Sequence, residues 1–462
     1  MHFFIFGRPC DSPVPRQARS RLARVRPMEV RPTATTWAEA EALLAECGAS
    51  AAMRNSVAMH FWHLKRGLLV RIADGRATLY PLDNARYRAP FALHGPRGED
   101  AFRYCVRTER AWHGNRCRIR RDPRTWALNG PIVDNWAPPR PWTADNRALA
   151  LARALAAEAR PGARYEFMLN VRDYPQLVDP ASHGARPWMR HAAAALVGGL
   201  PVLPLLPCLS QYTAPGYMDY PLPCAAALRE AADAPDGPCA GCALCGALWE
   251  RRAPRAVFRG SATGPGRLED NHRVRLVRAL ARHPGADAAL TGGSSRFRAL
   301  PGGELVAYDP AELRDCVRHG AFVPLDRQAR EFRLCFYVEG NAGADRLPAL
   351  LRRGFAVIVV ASRLPALVWL LDGTLRPWEH YIPCPKPEDA PRVLSECSAQ
   401  PSRVHAIARA GHRAYHDHMA GAALRARFAA ALVAPRPPPL LAPAARGKKR
   451  SRPRGRGPSG DY

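Results

Sequence analysis

Residues 333–360 read RLCFYVEGNAGADRLPALLRRGFAVIVV. The first six residues, 333–338, read as a strand, Gly340-Asn341-Ala342-Gly343 as a glycine-bearing turn, and 345–353 as a helix closed by Gly354. The unbroken apolar run 355–360 that follows is typical of a parallel strand buried on both faces. Together these make β–turn–α–β, the mononucleotide-binding unit of doubly wound sheets. Outward from it the same alternation recurs. A short strand at 256–258 enters the loop Arg259-Gly260-Ser261-Ala262-Thr263-Gly264. A helix over 272–283 carries Val274, Leu276, Val277 and Leu280, and 286–290 is a strand. Nearer the N-terminus, 148–160 is an alanine- and leucine-rich helix stopped by Pro161-Gly162. A strand at 165–171 leaves through Arg172-Asp173-Tyr174-Pro175. Residues 401–433 form one long helix or two. The economical reading is two α/β halves with a cleft between them.

The 462-residue chain suits two domains, with 47% apolar and 23% charged residues, which is globular composition. Sixty-eight Lys+Arg against 40 Asp+Glu leave a net charge of +28. Only Lys65, Lys386, Lys448 and Lys449 are lysines, so nearly all the cation is arginine, whose planar fork grips phosphate oxygens in pairs. Nonspecific attraction to polyanions follows whatever the function. No stretch approaches the roughly 18 uninterrupted apolar residues of a membrane span. Phe3-Phe4-Ile5-Phe6 is shorter than the roughly 7–15 residues of a signal-peptide core, so the expectation is a cytoplasmic protein without a secretory address. Thirteen cysteines in that setting are expected to be free thiols.

Ligands of open α/β sheets sit beyond the carboxyl ends of strands, and three segments have that position. Asn170-Val171-Arg172-Asp173-Tyr174-Pro175-Gln176 puts a carboxylate at a strand end. The segment from Phe258 to Arg267 combines small residues, a hydroxyl and arginines, the materials of a phosphate cradle. Gly340-Asn341-Ala342-Gly343-Ala344-Asp345-Arg346 places an arginine where a helix opens.

Those segments, in that order, resemble glycosyltransferase family 90, which includes protein O-glucosyl- and O-xylosyltransferases and capsule xylosyltransferases. The matching stretches are LNVRDYPQ (169–176), Asp219-Tyr220-Pro221, Trp249-Glu250-Arg251-Arg252 leading to Phe258-Arg259-Gly260-Ser261, residues 340–346, and Pro377-Trp378-Glu379-His380-Tyr381-Ile382-Pro383. They span about residues 160–420. The resemblance implies a GT-B architecture of two Rossmann-like lobes, with a C-terminal helix crossing back to the first. It implies metal-independent, inverting transfer of glucose or xylose from a UDP-sugar to a hydroxyl of a protein or glycan, with no cofactor and no catalytic divalent metal. It makes Asp173 the catalytic base and assigns Ser261, Arg267 and Arg346 to the nucleotide diphosphate, with Arg259 and the turn Asn341, Ala342 and Gly343 beside them. Arg172, Tyr174, Asp219, Tyr220, Trp378, His380 and Tyr381 are the candidate supporting pocket. Such a displacement needs a carboxylate to take the acceptor's proton and positive charge to hold the leaving diphosphate. Three features depart from the family: Ala262 replaces a long basic side chain of animal members, Glu339 stands where some members have arginine, and Asp345 adjoins Arg346. The family occurs in large DNA viruses, which makes a virus-encoded enzyme one reading.

The expected organisation is a loose basic arm over 1–35, an acceptor-side lobe over 36–248, and a donor-side lobe over 249–395. Helices over 396–433 would pack back on the first lobe, and a disordered basic tail over 434–462 could bind polyanions. Cys239, Cys242 and Cys245, with Cys224 upstream, have the spacing of one zinc-binding arm without a second, so free thiols are the leading reading and a structural zinc the lesser. His405, His412, His416 and His418 crowd the last helical region, where solvated helix-face histidines are the default. The competing function is that of a catalytically inactive transferase-like scaffold that binds nucleic acid or another polyanion through its arginines.

Overall fold

The computed structural model describes residues 28–58, 60–61, 66–83, 118–119, 146–170, 206–213, 219–232, 246–263, 271–291, 297–299, 304–307, 313–318, 322–340, 343–362 and 366–433. Its strands are β1 (Met28–Val30), β2 (Arg66–Ala73), β3 (Arg76–Asp83), β4 (Arg118–Ile119), β5 (Arg164–Asn170), β6 (Cys208–Ser210), β7 (Tyr220–Pro221), β8 (Ala253–Gly260), β9 (Ala286–Leu290), β10 (Phe297–Ala299), β11 (Glu304–Ala307), β12 (Phe332–Tyr337), β13 (Ala356–Val360) and β14 (Ile382–Cys384). Its α-helices are α1 (Trp37–Glu46), α2 (Ala51–Ala58), α3 (Asn146–Glu158), α4 (Ala225–Ala232), α5 (Gly246–Arg251), α6 (His272–Leu280), α7 (Leu325–Glu331), α8 (Leu347–Arg352), α9 (Val368–Leu371), α10 (Ala390–Ala399), α11 (Pro401–Met419) and α12 (Gly421–Val433).

The first sheet runs β1-β3-β2-β5-β6-β7. One end of it, β5-β6-β7, is parallel, and the antiparallel hairpin β2-β3 is added beside β5. The hairpin turns at Asp74 and Gly75, both with positive φ (51° and 71°), the backbone that a two-residue hairpin turn requires and that Asp-Gly supplies at low cost. Alternation along the strands splits the side chains between two cores. Leu68, Val70, Ile72, Phe167 and Leu169 pack with α3 and α4, whereas Leu69, Tyr80, Leu82 and Met168 pack with α1 and α2. Within the basic arm expected over 1–35, β1 pairs in parallel with β3 and Ala34 bridges Leu82, while residues 1–27 lie outside the described residues.

The second sheet is parallel throughout, in the order β14-β13-β12-β8-β9. Phe258, Leu334, Phe336, Val338, Ile358 and Val360 form a core with α6, α10 and α11. On the opposite face Val257, Cys335, Tyr337 and Val357 join a core shared with α3, α4 and α8 of both halves. The helix expected over 345–353 is the shorter α8, with Pro348 in its first turn and Arg346 at its cap without a capping hydrogen bond. The C-terminal helical stretch is two helices broken at Gly421, where φ is 51°. Of the two, α11 packs on α8 and β13 of the second lobe and places Ala414, Tyr415 and Met419 in the core shared by both lobes, and α12 packs on α3 of the first. Among the described residues no helix is long and apolar enough to cross a membrane.

Candidate functional site

In the second sheet the chain runs β8 to β9 on one side, then crosses back to β12 on the other side of β8. Loops leaving β8 and β12 therefore diverge, which opens a crevice at their carboxyl ends, the usual ligand position of such sheets. Ser261 follows β8 directly and is half-buried. Glu339, Gly340 and Gly343 follow β12, and Arg346 follows them. Sequence reasoning expected most of these residues here, but it missed what holds the crevice in shape.

That role falls to Arg273 and Asn271, both buried. The Asn271 carboxamide accepts from the Arg273 and Val274 amides (3.0 and 3.3 Å), capping α6, and donates to the Ala262 carbonyl at 2.9 Å. The Arg273 guanidinium donates to the Ser261 carbonyl at 3.1 Å and to the Val338 carbonyl through Nε and Nη2 (3.3 and 3.1 Å). It also donates to Thr263 Oγ1. One buried cation thus ties the ends of β8 and β12 together and satisfies carbonyls the ladder leaves open. The signal available was Asn271 immediately before the periodic run Val274, Leu276, Val277, Leu280, a helix N-cap whose side chain is positioned to serve the preceding loop.

The backbone is correspondingly tight. A Cβ on Gly340 would lie 2.8 Å from Thr263 Oγ1 and 3.0 Å from Arg273 Nη2, and one on Gly343 would lie 3.0 Å from the Leu367 amide nitrogen. Arg346, half-buried, donates one N–H to the Arg259 carbonyl and lies over the Phe258 ring, 6.0 Å from its centroid. Its remaining N–H groups are the cationic donors at the crevice edge. Arg259 instead turns to the neighbouring strand, donating to the Asp287 carboxylate at 2.7 Å and its carbonyl at 2.6 Å. It is engaged there rather than in the diphosphate role expected of it: Arg259 lies opposite Ala289, so Asp287, two residues earlier on β9, is its diagonal neighbour on the same face.

The two lobes meet at these same strand ends. Thr213, just beyond β6, exchanges both backbone hydrogen bonds with Ala366, beyond β13 (3.1 and 2.9 Å). The Tyr212 hydroxyl donates to the Asp345 carboxylate, so that carboxylate has a partner across the junction. Nearby, α4 is tied to α8 by the Glu230 carboxylate, which accepts from Arg352 and Arg353 at 2.7 and 2.8 Å. In the first lobe Asn170 Nδ2 donates to Ser210 Oγ at 2.9 Å, and that hydroxyl donates to Asp219. This buried polar chain spans the carboxyl ends of β5 and β6. Asp219 is part of it rather than a cleft-facing acid, and Tyr220 begins β7, half-buried.

Arg172, Asp173 and Tyr174 lie outside the described residues, as do Arg267, Asn341 and Ala342. Asn170, the last residue of β5, stands three residues before Asp173. Trp378, His380 and Tyr381 precede β14, which is parallel to β13, so they sit at the amino end of the sheet, opposite the crevice. The pocket role expected of them is replaced by packing. Trp378, with φ 63°, lies under the Arg403 guanidinium at 4.6 Å, and the His380 carbonyl abuts Gly411 of α11. Cys239, Cys242 and Cys245 lie outside the described residues. Cys224 is buried, and desolvation pushes its thiol up to about 12. His412 and His416 share a helix face with ring centroids 4.7 Å apart. Among the described residues no group of three or more His, Cys, Asp or Glu is arranged to hold a metal ion.

The topology defines a two-lobed α/β protein, with strand carboxyl ends of both lobes meeting at one junction and the last helix returning to the first lobe. No known protein-family description matches the chain. It is 27% identical over 390 residues to the uncharacterized protein 027R of Frog virus 3, covering 76% of this chain and 38% of that protein. It is 29% identical over 179 residues to the uncharacterized protein 035R of Invertebrate iridescent virus 3, covering 37% of this chain and 15% of that one. The chain thus spans well under half the length of either relative. Among solved structures, a sucrose-phosphate synthase from Thermosynechococcus elongatus aligns at 16% identity and TM-score 0.26, over 38% of this chain and 44% of that one. The C-terminal domain of a glycosyl transferase group 1 family protein (LpcC) from Francisella tularensis aligns at 13% identity and TM-score 0.25, over 37% of this chain and 89% of that one.

Proposed function

We propose that the protein is a virus-encoded glycosyltransferase resembling family 90 that moves glucose or xylose from a UDP-sugar to a protein or glycan hydroxyl without a divalent metal. The acceptor oxygen attacks the anomeric carbon with inversion, the bond from that carbon to the diphosphate breaks, the acceptor's proton passes to Asp173, and UDP departs. Ser261, Arg267 and Arg346 hold the diphosphate and offset the charge that grows on it. Arg259, tied to Asp287, contributes only by shaping the end of β8.

The observation that carries this reading is the junction itself. The strand that leads to Asp173 and the strands that lead to Ser261 and Arg346 end where the lobes touch, through Thr213–Ala366 and Tyr212–Asp345. A polyanion-binding scaffold is supported less well, because many described arginines are spent internally. Arg252 serves the Arg353 and Gly354 carbonyls, Arg333 the Trp249 carbonyl, and Arg427 pairs with Asp372.

The test is UDP release from UDP-glucose and UDP-xylose with candidate acceptors. Turnover is expected to survive EDTA, and Asp173→Asn is expected to lower it by about 10²–10⁴-fold, the usual worth of a general base, while UDP still binds. Dependence on a divalent metal, or full turnover in that variant, refutes the mechanism.

A further inference from the structure

Glu339 lies two residues beyond the end of β12, the central strand of the parallel sheet, and it is only 6% exposed. Ser362, at the end of β13, hydrogen-bonds its carboxyl, the Arg273 guanidinium faces it from α6, and the Tyr337 phenol lies within its field on β12. One carboxyl oxygen, Oε2, has no hydrogen-bond partner among the described residues. Thr263 and Arg273 pack closely enough beside the following Gly340 that a Cβ there would clash with both. A buried acid held rigidly at the ligand end of a sheet with one oxygen unused is costly unless something else completes it.

Resting on the nucleotide-sugar reading above, we propose that Glu339 is the hydroxyl-reading residue of the site, its free oxygen accepting a hydrogen bond from a ribose or transferred-sugar hydroxyl of the ligand. A phosphate oxygen would instead need the carboxyl to stay protonated and donate its O–H, in which case binding releases no proton from it, and the titration below separates the two. Burial pushes this carboxyl up to about 8, and the Ser362 and Arg273 interactions pull it back only in part. At pH 7 the group is then roughly nine-tenths protonated. A ligand hydroxyl that donates to it favours the ionised form, so binding releases up to about one proton and tightens as pH rises from 7 toward 8. The last ionisation of a phosphate lies lower, near 6, so it does not imitate this rise.

The experiment is titration calorimetry of the full chain with UDP, 2′-deoxy-UDP, UDP-glucose and UDP-xylose at pH 7, in two buffers of different protonation enthalpy. Proton release with UDP but not with 2′-deoxy-UDP identifies the ribose as the source. Release only with the UDP-sugars identifies the transferred sugar. In Glu339→Gln the release is expected to vanish, with affinity for the hydroxyl-bearing ligand falling about 10–100-fold, the usual worth of a hydrogen bond to a charged group. Ligand binding without proton release, together with unchanged affinity in the variant, overturns the proposal and leaves the nucleotide-sugar reading intact. Failure of every nucleotide to bind the wild-type chain overturns both. A ligand-free readout stands beside these. The carboxyl titrates near 4.5 when unperturbed and near 8 when folded, so the native state binds more protons between those values and loses stability as pH rises through them. Glu339→Gln should therefore melt above the wild type at pH 8.5 and converge with it near pH 4.5. Parallel melting curves at both pH values would mean that the carboxyl is not held neutral by burial, which overturns the proton linkage.

Discussion

Replacing Arg273 by Met tests whether one buried cation holds the crevice together. Methionine keeps most of the stem's volume and removes the five donors. The Ser261 and Val338 carbonyls, which Arg273 serves at 3.1–3.3 Å, are then left without it in a dry place. Each buried carbonyl so stranded costs about 1–3 kcal/mol. Against that, the folded state no longer desolvates a guanidinium, which returns part of the loss, so the net destabilisation should be about 2–4 kcal/mol. At about 2–4 °C per kcal/mol for a unit of 150–250 residues, the melting temperature should fall by about 5–15 °C. Arg275→Met is the matched control, two residues along the same helix. Its bidentate pair with Glu388 (2.7 Å for both bonds) is largely solvent-exposed, and such pairs contribute about 1 kcal/mol or less. Differential scanning fluorimetry of the two variants beside the wild type decides the matter. If Arg273→Met loses no more stability than Arg275→Met, the carbonyls are satisfied by other means and the bracing role of Arg273 is refuted.

Two further outcomes follow from the packing. Gly411→Ala would gain about 1 kcal/mol of helix propensity. Its Cβ, however, would sit 2.6 Å from the His380 carbonyl oxygen, a backbone atom with little room to yield, and overpacking of that kind costs about 1–3 kcal/mol. A net loss is expected, and a rise in melting temperature would contradict the close approach of α11 to the turn before β14. His412 is buried, hydrogen-bonds the Leu351 carbonyl through Nδ1 at 3.2 Å, and is pushed below its ordinary value by desolvation. The unfolded chain therefore takes up a proton that the native state resists. Stability should be intact above about pH 6.5 and decline as the medium becomes more acid. His405 and His416 are shifted the same way by burial and add to the decline. Comparing melting at pH 7.5 and 5.5 for the wild type and His412→Asn checks this, and an equal acid-induced drop in both would remove His412 from the account.

The alternation of strand and helix from 253 to 360 was legible because each element is strongly periodic or wholly apolar. The run at 355–360 has no other stable home than the middle of a parallel sheet. The order of Asp173, Ser261 and Arg346 along the chain, each at or just beyond a strand end, was legible for the same reason. The hairpin β2-β3 was legible too, since Asp74-Gly75 between alternating apolar runs is a strong local hairpin signal that the sequence reasoning missed; only what its two faces pack against depends on the fold. Other features depend on contacts between residues far apart in the chain. Arg259 and Arg346 look alike in sequence, but one faces Asp287 and the other the crevice edge, a choice made by side-chain alternation and by which strand lies alongside. Trp378, His380 and Tyr381 looked like pocket residues, and the parallel direction of β14 puts them at the opposite end of the sheet. Arg273 and Glu339 acquire their meaning from burial alone. A charge's cost and use are set by the dielectric and by the partners around it, which only the folded chain supplies.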